Sequence, residues 1–204
     1  MAARRSKRRV RAPARTDRMP PIPRARQTDQ QRAAVAEIAA GPRGGLIGPF
    51  IPALRSPEFM RRLQHLGEYL RYDNALGAKL TELAIVLTAR AWTQQFEWSL
   101  HSKLAIERGV PRAVIDAIAA GRRPSSLGAK EAVVYDVFTE LERTQGVSDE
   151  TYARAVQAFG EAGVIDLIGV IGYYSMLAMI MNVARTPLPP GEVPELEPFP
   201  AKRG

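Results

Sequence analysis

The sequence predicts an all-α protein, on three observations. Apolar residues recur at intervals of three and four through most of residues 28–184. Helix starts and stops punctuate that pattern, with Ser, Thr or Asp before it and Gly or Gly-Pro after it. No segment alternates in the manner of a strand, and no internal repeat is visible. At 204 residues and 46% apolar composition, the chain can bury one good-sized core. The expected organisation is a single helical domain over residues 27–189. A disordered basic arm at 1–26 precedes it and a Pro-rich tail at 190–204 follows.

The elements follow in order. Thr28 or Asp29 starts a first helix, which Gly41-Pro42 stops after Ala40. The run GGLIGPFIPALRSP carries three prolines and reads as irregular, yet it is apolar enough to lie against the body. Ser56-Pro57-Glu58 is a helix start, combining a capping residue, Pro at the first helical position and an acid near the positive helix end. Phe59, Leu63, Leu66 and Leu70 then keep helical spacing. The pattern stays helical from Leu76 to Arg108, and spacing alone allows one long helix or two with a break near Trp92-Thr93. Gly109-Val110-Pro111 ends it, and PRAVIDAIAAG forms a short helix closed by Gly121. Residues 127–145 turn Val133, Val134, Val137, Phe138 and Leu141 inward. Ser148-Asp149-Glu150 caps a further helix, interrupted at Gly160 to Gly163, and the closing run VIDLIGVIGYYSMLAMIMNVA is apolar nearly all round.

Charge and cysteine content exclude several functions. The formal charge of +8 belongs to the arm, where residues 1–26 hold ten of the 29 Lys and Arg and one acid, while the remainder is net −1. The folded part therefore offers no basic face to nucleic acid. With no cysteine there is no disulfide, thiolate ligand or thiol redox chemistry, which fits a cytoplasmic protein. The apolar closing helix is long enough for a membrane span, but Asp166, Asn182 and its small residues favour burial inside a protein or oligomer, so no membrane partner is expected.

One stretch carries chemistry, AWTQQFEWSLHSK at residues 91–103. Placed on a helix at about 100° per residue, Gln94, Glu97, Trp98 and His101 share one face. Glu82 lies earlier on the otherwise apolar run TELAIVL, where a lone carboxylate is expensive to bury. A carboxylate one turn from an imidazole raises its pKa and orients it for proton transfer near neutrality, and the Gln94 amide can hold a carbonyl or carboxylate oxygen. The same spacing also fits an ordinary Glu–His pair on a solvated face, or, if the helices converge, a metal site made by Glu82, Glu97 and His101. His65 reads as a helix-surface residue without a role. GPRGGLIG lacks the Lys-Ser/Thr of a phosphate loop.

The run TELAIVLTARAWTQQFEWSLHSKLAIERGVPRAVIDAI resembles the core motif of the carboxymuconolactone decarboxylase family, within the alkylhydroperoxidase D-like superfamily. GPFIPALRSPEFMRRLQHLGEYLRYDNAL before it and LIGVIGYYSMLAMIMNVARTPLP after it agree. The peroxidase branch has a Glu, a Cys-x-x-Cys pair and a His. Here Glu82 and His101 match the outer positions, while Gln94 and Glu97 stand where the thiols would be, so thiol peroxidase chemistry is excluded. The branch without the cysteine pair is the closer match. It implies an alkylhydroperoxidase D-like helical bundle assembled as a homo-oligomer, trimer or hexamer, with the site bordered by neighbouring subunits. It also implies lyase chemistry of the kind used in aromatic compound catabolism, namely decarboxylation or proton transfer on a small unsaturated acid or lactone. No cofactor and no metal are expected. The resemblance gives His101, Glu97 and Glu82 catalytic roles, with Gln94, Trp98 and Phe96 lining the substrate. The rival expectation is a non-catalytic oligomer that keeps the fold and binds a small acid.

Overall fold

The computed structural model describes residues 16–197, which hold eight α-helices and no strand. Helix α1 (Asp29–Ala40) begins at Thr28, whose hydroxyl accepts from the Gln31 N–H while the Gln31 side chain accepts from the Thr28 N–H. Two otherwise orphaned donors are thereby satisfied. The proline-rich link contains a single helical turn, α2 (Phe50–Ala53), which seats Phe50, Pro52 and Ala53 in the core. Helix α3 (Pro57–Glu68) starts on its proline, although Ser56 makes no side-chain cap bond. It runs straight into a π-helical turn, Tyr69–Asp73.

The remaining helices are α4 (Ala78–Ala91), α5 (Gln95–Glu107), α6 (Arg112–Ala119), α7 (Ala129–Thr144) and α8 (Asp149–Ala184). Helix α4 is the centre of the bundle. Every residue from Leu80 to Arg90 is buried, because α5, α7 and α8 pack around it. A helix covered on all sides cannot be strongly amphipathic, which is why apolar residues occupy most of its circumference, with Glu82 the one buried carboxylate on it. Helix α8 is divided at Gly160, whose φ of 69° and ψ of 169° are not helical, at the position where glycines interrupt the pattern. Its second part buries Val164, Leu167, Val170, Ile171, Tyr174, Leu177 and Met181 against the body. By length and hydropathy α8 could cross a membrane, yet 56% of its most apolar window is buried inside the chain.

The run from Leu76 to Arg108 is two helices. Trp92 ends α4, Thr93 takes a positive φ of 46°, and the Gln94 N–H closes back onto the Ala89 carbonyl at 2.8 Å. Gln94 then caps α5, its side-chain oxygen accepting from the Phe96 N–H at 2.7 Å. This short reversal lays α5 back along α4.

Part of the expected arm is ordered. Residues 1–15 lie outside the described residues, but 16–26 pack on the body, correcting the expectation of disorder there. The Arg18 N–H donates to the Ala184 carbonyl at 2.8 Å, Arg55 donates to the Pro20 carbonyl at 2.9 Å, and Ile22 packs against the core. The segment lacks helical periodicity because main-chain groups carry much of its binding, with Ile22 reaching the core. Residues 190–197 run without helix across α5, and residues 198–204 lie outside the described residues. Gln95 accepts from the N–H groups of Glu195 and Leu196 at 3.0 Å each and donates to the Leu196 carbonyl at 2.6 Å.

Candidate active site

The α4–α5 reversal creates the site. Glu82 and His101 are 19 residues apart, which on one continuous helix would separate them by about 28 Å. With α5 folded back, His101 Nδ1 and Glu82 Oε2 are 2.6 Å apart. On the other side of the ring, His101 Nε2 is 3.1 Å from Glu97 Oε2, one turn earlier on α5. An imidazole held at both nitrogens by carboxylates is satisfied as a cation donating two N–H bonds.

The cluster is deeply buried. His101 is 2% exposed, Glu97 3% and Glu82 6%. Burial works against the imidazolium, but the bonds to Glu82 and Glu97 and the field of both carboxylates outweigh it, and the His101 pKa is raised above its ordinary 6.5. Tyr174 stacks edge-on against the ring with centroids 5.1 Å apart, and Tyr173 stacks edge-on against Tyr174 at 5.4 Å. Burial pushes both phenols well above their usual range, so they remain neutral hydroxyls.

Arg71 comes in from the π-helical turn, its Nε 4.0 Å from Glu82 Oε1. Burial opposes its charge, while the carboxylates of Glu82 and Glu97 hold its pKa above normal. Its side chain is 17% exposed, making it the member of the cluster that touches solvent. Asp166 on α8 fixes this turn at both ends, accepting from the Tyr69 hydroxyl at 2.9 Å and from the Ala75 N–H at 2.8 Å. Arg43, from the link after α1, reaches the same region: its Nη2 lies 3.4 Å from the Tyr173 hydroxyl and its guanidinium 4.7 Å from the Phe50 ring centre.

The structure thus brings Glu82, Glu97 and His101 together and directs Gln94, Trp98 and Phe96 elsewhere. Gln94 uses its oxygen as the α5 cap and donates its amide N–H to Asn182 at 2.9 Å. Trp98 is 2% exposed, but its indole N–H donates to Glu195 of the tail at 3.3 Å. Phe96 packs under Gly48. The helical face that places these residues together is wide: Glu97 and Trp98 lie about 100° apart on it, so one edge meets α4 while the other meets the tail. These three side chains therefore make contacts within the fold, while Glu82 and Glu97 face the imidazole. Among the described residues no cluster of three His, Cys, Asp or Glu is arranged to hold a metal ion. His65 is exposed and pairs with Glu37 at 2.6 Å.

Arg71, Arg43, Tyr173 and Tyr174 were not legible as site residues. The tyrosines sit in an apolar helix, where aromatics ordinarily mean core. The arginines sit far along the chain in a turn and a loop. The one available signal is that Tyr173-Tyr174 follow Gly172 in a run otherwise free of hydroxyls until Ser175.

Residues 57–140 match the model of the carboxymuconolactone decarboxylase family. No curated protein matches the chain. Among solved structures, an Agrobacterium tumefaciens protein of unknown function, whose description points to the antioxidant defence protein AhpD, superposes with a TM-score of 0.60 at 16% identity, covering 67% of this chain and 94% of its own. A cysteine-to-alanine variant of the debrominase Bmp8, in complex with 2,3,4-tribromopyrrole, superposes with a TM-score of 0.64 at 12% identity, covering 84% of this chain and 91% of its own. At such identities the likeness is one of fold.

Proposed function

We propose that this chain, a member of the carboxymuconolactone decarboxylase and alkylhydroperoxidase D-like superfamily, is a lyase that works on a small unsaturated acid or lactone by decarboxylation or proton transfer. The observation that carries the reading is the Glu82–His101–Glu97 cluster, an imidazolium held between two buried carboxylates. A group with a raised pKa remains a proton donor at neutral pH, the form needed to protonate carbon. In the decarboxylation the bond from carbon to the carboxylate breaks and carbon dioxide leaves. The electron pair moves into the conjugated carbonyl as an enolate, and the carbon then takes a proton from the cluster.

Both imidazole nitrogens are occupied, so the proton leaves the ring through a carboxylate. Glu82 is the outward member, with its Oε1 facing the partly exposed Arg71. In this reading Glu82 hands the proton to substrate, His101 resupplies it, and Glu97 fixes the ring. Arg71 and Arg43 supply positive charge toward the substrate carboxylate, with the Tyr173 hydroxyl beside Arg43. Thiol peroxide reduction plays no part, since the chain has no cysteine.

The test is release of carbon dioxide from a panel of small unsaturated acids and carboxylated lactones, with deuterium incorporation at the reprotonated carbon in heavy water. His101→Gln should reduce turnover by at least about a hundredfold. The burial of the ring supports one rival, a non-catalytic protein that binds a small acid. Acid binding without carbon dioxide release or deuterium exchange, in wild type and His101→Gln alike, would establish that rival instead.

A further inference from the structure

A cavity of about 710 Å³ opens on the side of α4 away from Glu82, between the ends of α4 and α6 and the outer face of α7. Leu87 and Ala91 of α4 floor it, five and nine residues past Glu82. That places them about 140° and 180° around the helix and about 7 and 14 Å along it, so this space is distinct from the Glu–His cluster. Ile118 and Phe138 complete an apolar floor. The lining otherwise carries Arg90, Arg122 and Arg143 against one acid, Glu142.

Arg61, Arg62, Arg112, Arg123 and Arg154 each lie on a carboxylate. Arg122 and Arg143 are exposed and have no carboxylate partner among the described residues. Arg90 is 7% exposed and donates to the Glu197 carbonyl at 3.0 Å, which holds its stem against the cavity wall. An apolar space of ligand size with a cationic rim matches an amphiphile having one anionic end.

We propose that this cavity is a second ligand site, for an apolar organic carboxylate whose ring or chain fills the space over Leu87, Ala91, Ile118 and Phe138 while its carboxylate meets Arg122 and Arg143. The site is independent of the proposed reaction, because no residue lining it belongs to the Glu–His cluster.

Isothermal titration with 4-phenylbutyrate, and with 4-phenylbutanamide as the uncharged match, tests it. Wild type should bind the acid at least tenfold more tightly than the amide. The doubly substituted Arg122→Gln, Arg143→Gln protein should lose at least tenfold in affinity for the acid at unchanged melting temperature, since both side chains are exposed. Arg71→Gln, at the other site, should bind it as wild type does. Equal acid binding by wild type and the double variant overturns the proposal, as does loss of binding in Arg71→Gln. So does failure of wild type to bind the acid at millimolar concentration, and an oligomer mass that changes in the double variant without acid binding would show that a second copy covers the cavity.

Discussion

His101 sits between two buried carboxylates, so removing it has consequences beyond lost proton transfer. His101→Ala would leave Glu82 and Glu97 without the imidazolium between them, a change in the class that costs about 3–5 kcal/mol. The pH dependence has a definite sign. The folded-state pKa lies above 6.5, so the stabilisation is complete below the unfolded value and is lost as pH rises through the folded one. Urea midpoints should fall as pH rises above the ordinary histidine value of 6.5, and fall less steeply in His101→Gln; parallel slopes would remove His101 from the account. Gly67 makes a second test at this scale. A Cβ there would collide with the Tyr173 hydroxyl and Arg43 Nη2, so Gly67→Ala should destabilise by about 1–3 kcal/mol in urea titration. Glu82, Glu97 and His101 were legible because a carboxylate on an apolar run and a Glu–His pair are local signals. Arg71 and Tyr174 were not, because only tertiary packing carries them to the imidazole.

At the scale of elements, the decisive feature is the reversal at Trp92–Gln94, and the sequence left it open because no Gly or Pro marks it. Thr93 adopts a positive φ that β-branched residues avoid, so neither propensity nor apolar spacing reveals the turn. Gln94 likewise is not among the favoured capping residues. Its capping role has a direct test. Gln94→Ala should lower stability by about 1 kcal/mol through loss of the cap, read as a lower thermal midpoint. A Gln94 that bound substrate would instead raise KM and leave the midpoint unchanged. The helix starts at Thr28, Pro57 and Ser148 and the interruption at Gly160 were legible, since caps, prolines and glycines act locally. The π-helical turn was not, because its wider hydrogen-bond register leaves no mark in apolar periodicity, and it is this turn that points Arg71 at Glu82.

The whole molecule leaves apolar groups on its surface beside the site. Leu66, Tyr69 and Tyr72 are each about half exposed on α3 and its π-helical turn, and Ile165 and Ile168 are 67% and 45% exposed on α8. We propose that a second copy covers this face, in line with the trimer or hexamer that the family resemblance implies. Light scattering at micromolar concentration should then report a trimer or larger, and a 22.4 kDa species would contradict it. The amino-terminal segment belongs to the same scale. Since residues 16–26 bond to Ala184 and Arg55 and bring Ile22 to the core, deleting residues 1–26 should lower the melting temperature, where a freely tethered arm would leave it unchanged. The all-α class was legible from composition and period. The packing of this segment was not, because main-chain hydrogen bonds leave no trace in residue type.

The strap that residues 192–197 form across α5 gives the protein a built-in optical gauge. The chain has two tryptophans. Trp92 is 37% exposed at the α4–α5 reversal, while Trp98 lies buried with its indole N–H on Glu195. Emission from Trp98 therefore reports whether the strap is seated. Lifting the strap, by truncation after Pro190 or by Gln95→Ala, wets the indole and should shift its emission to the red in a Trp92→Phe background. The seating of the carboxyl-terminal strap can thus be followed without an added label.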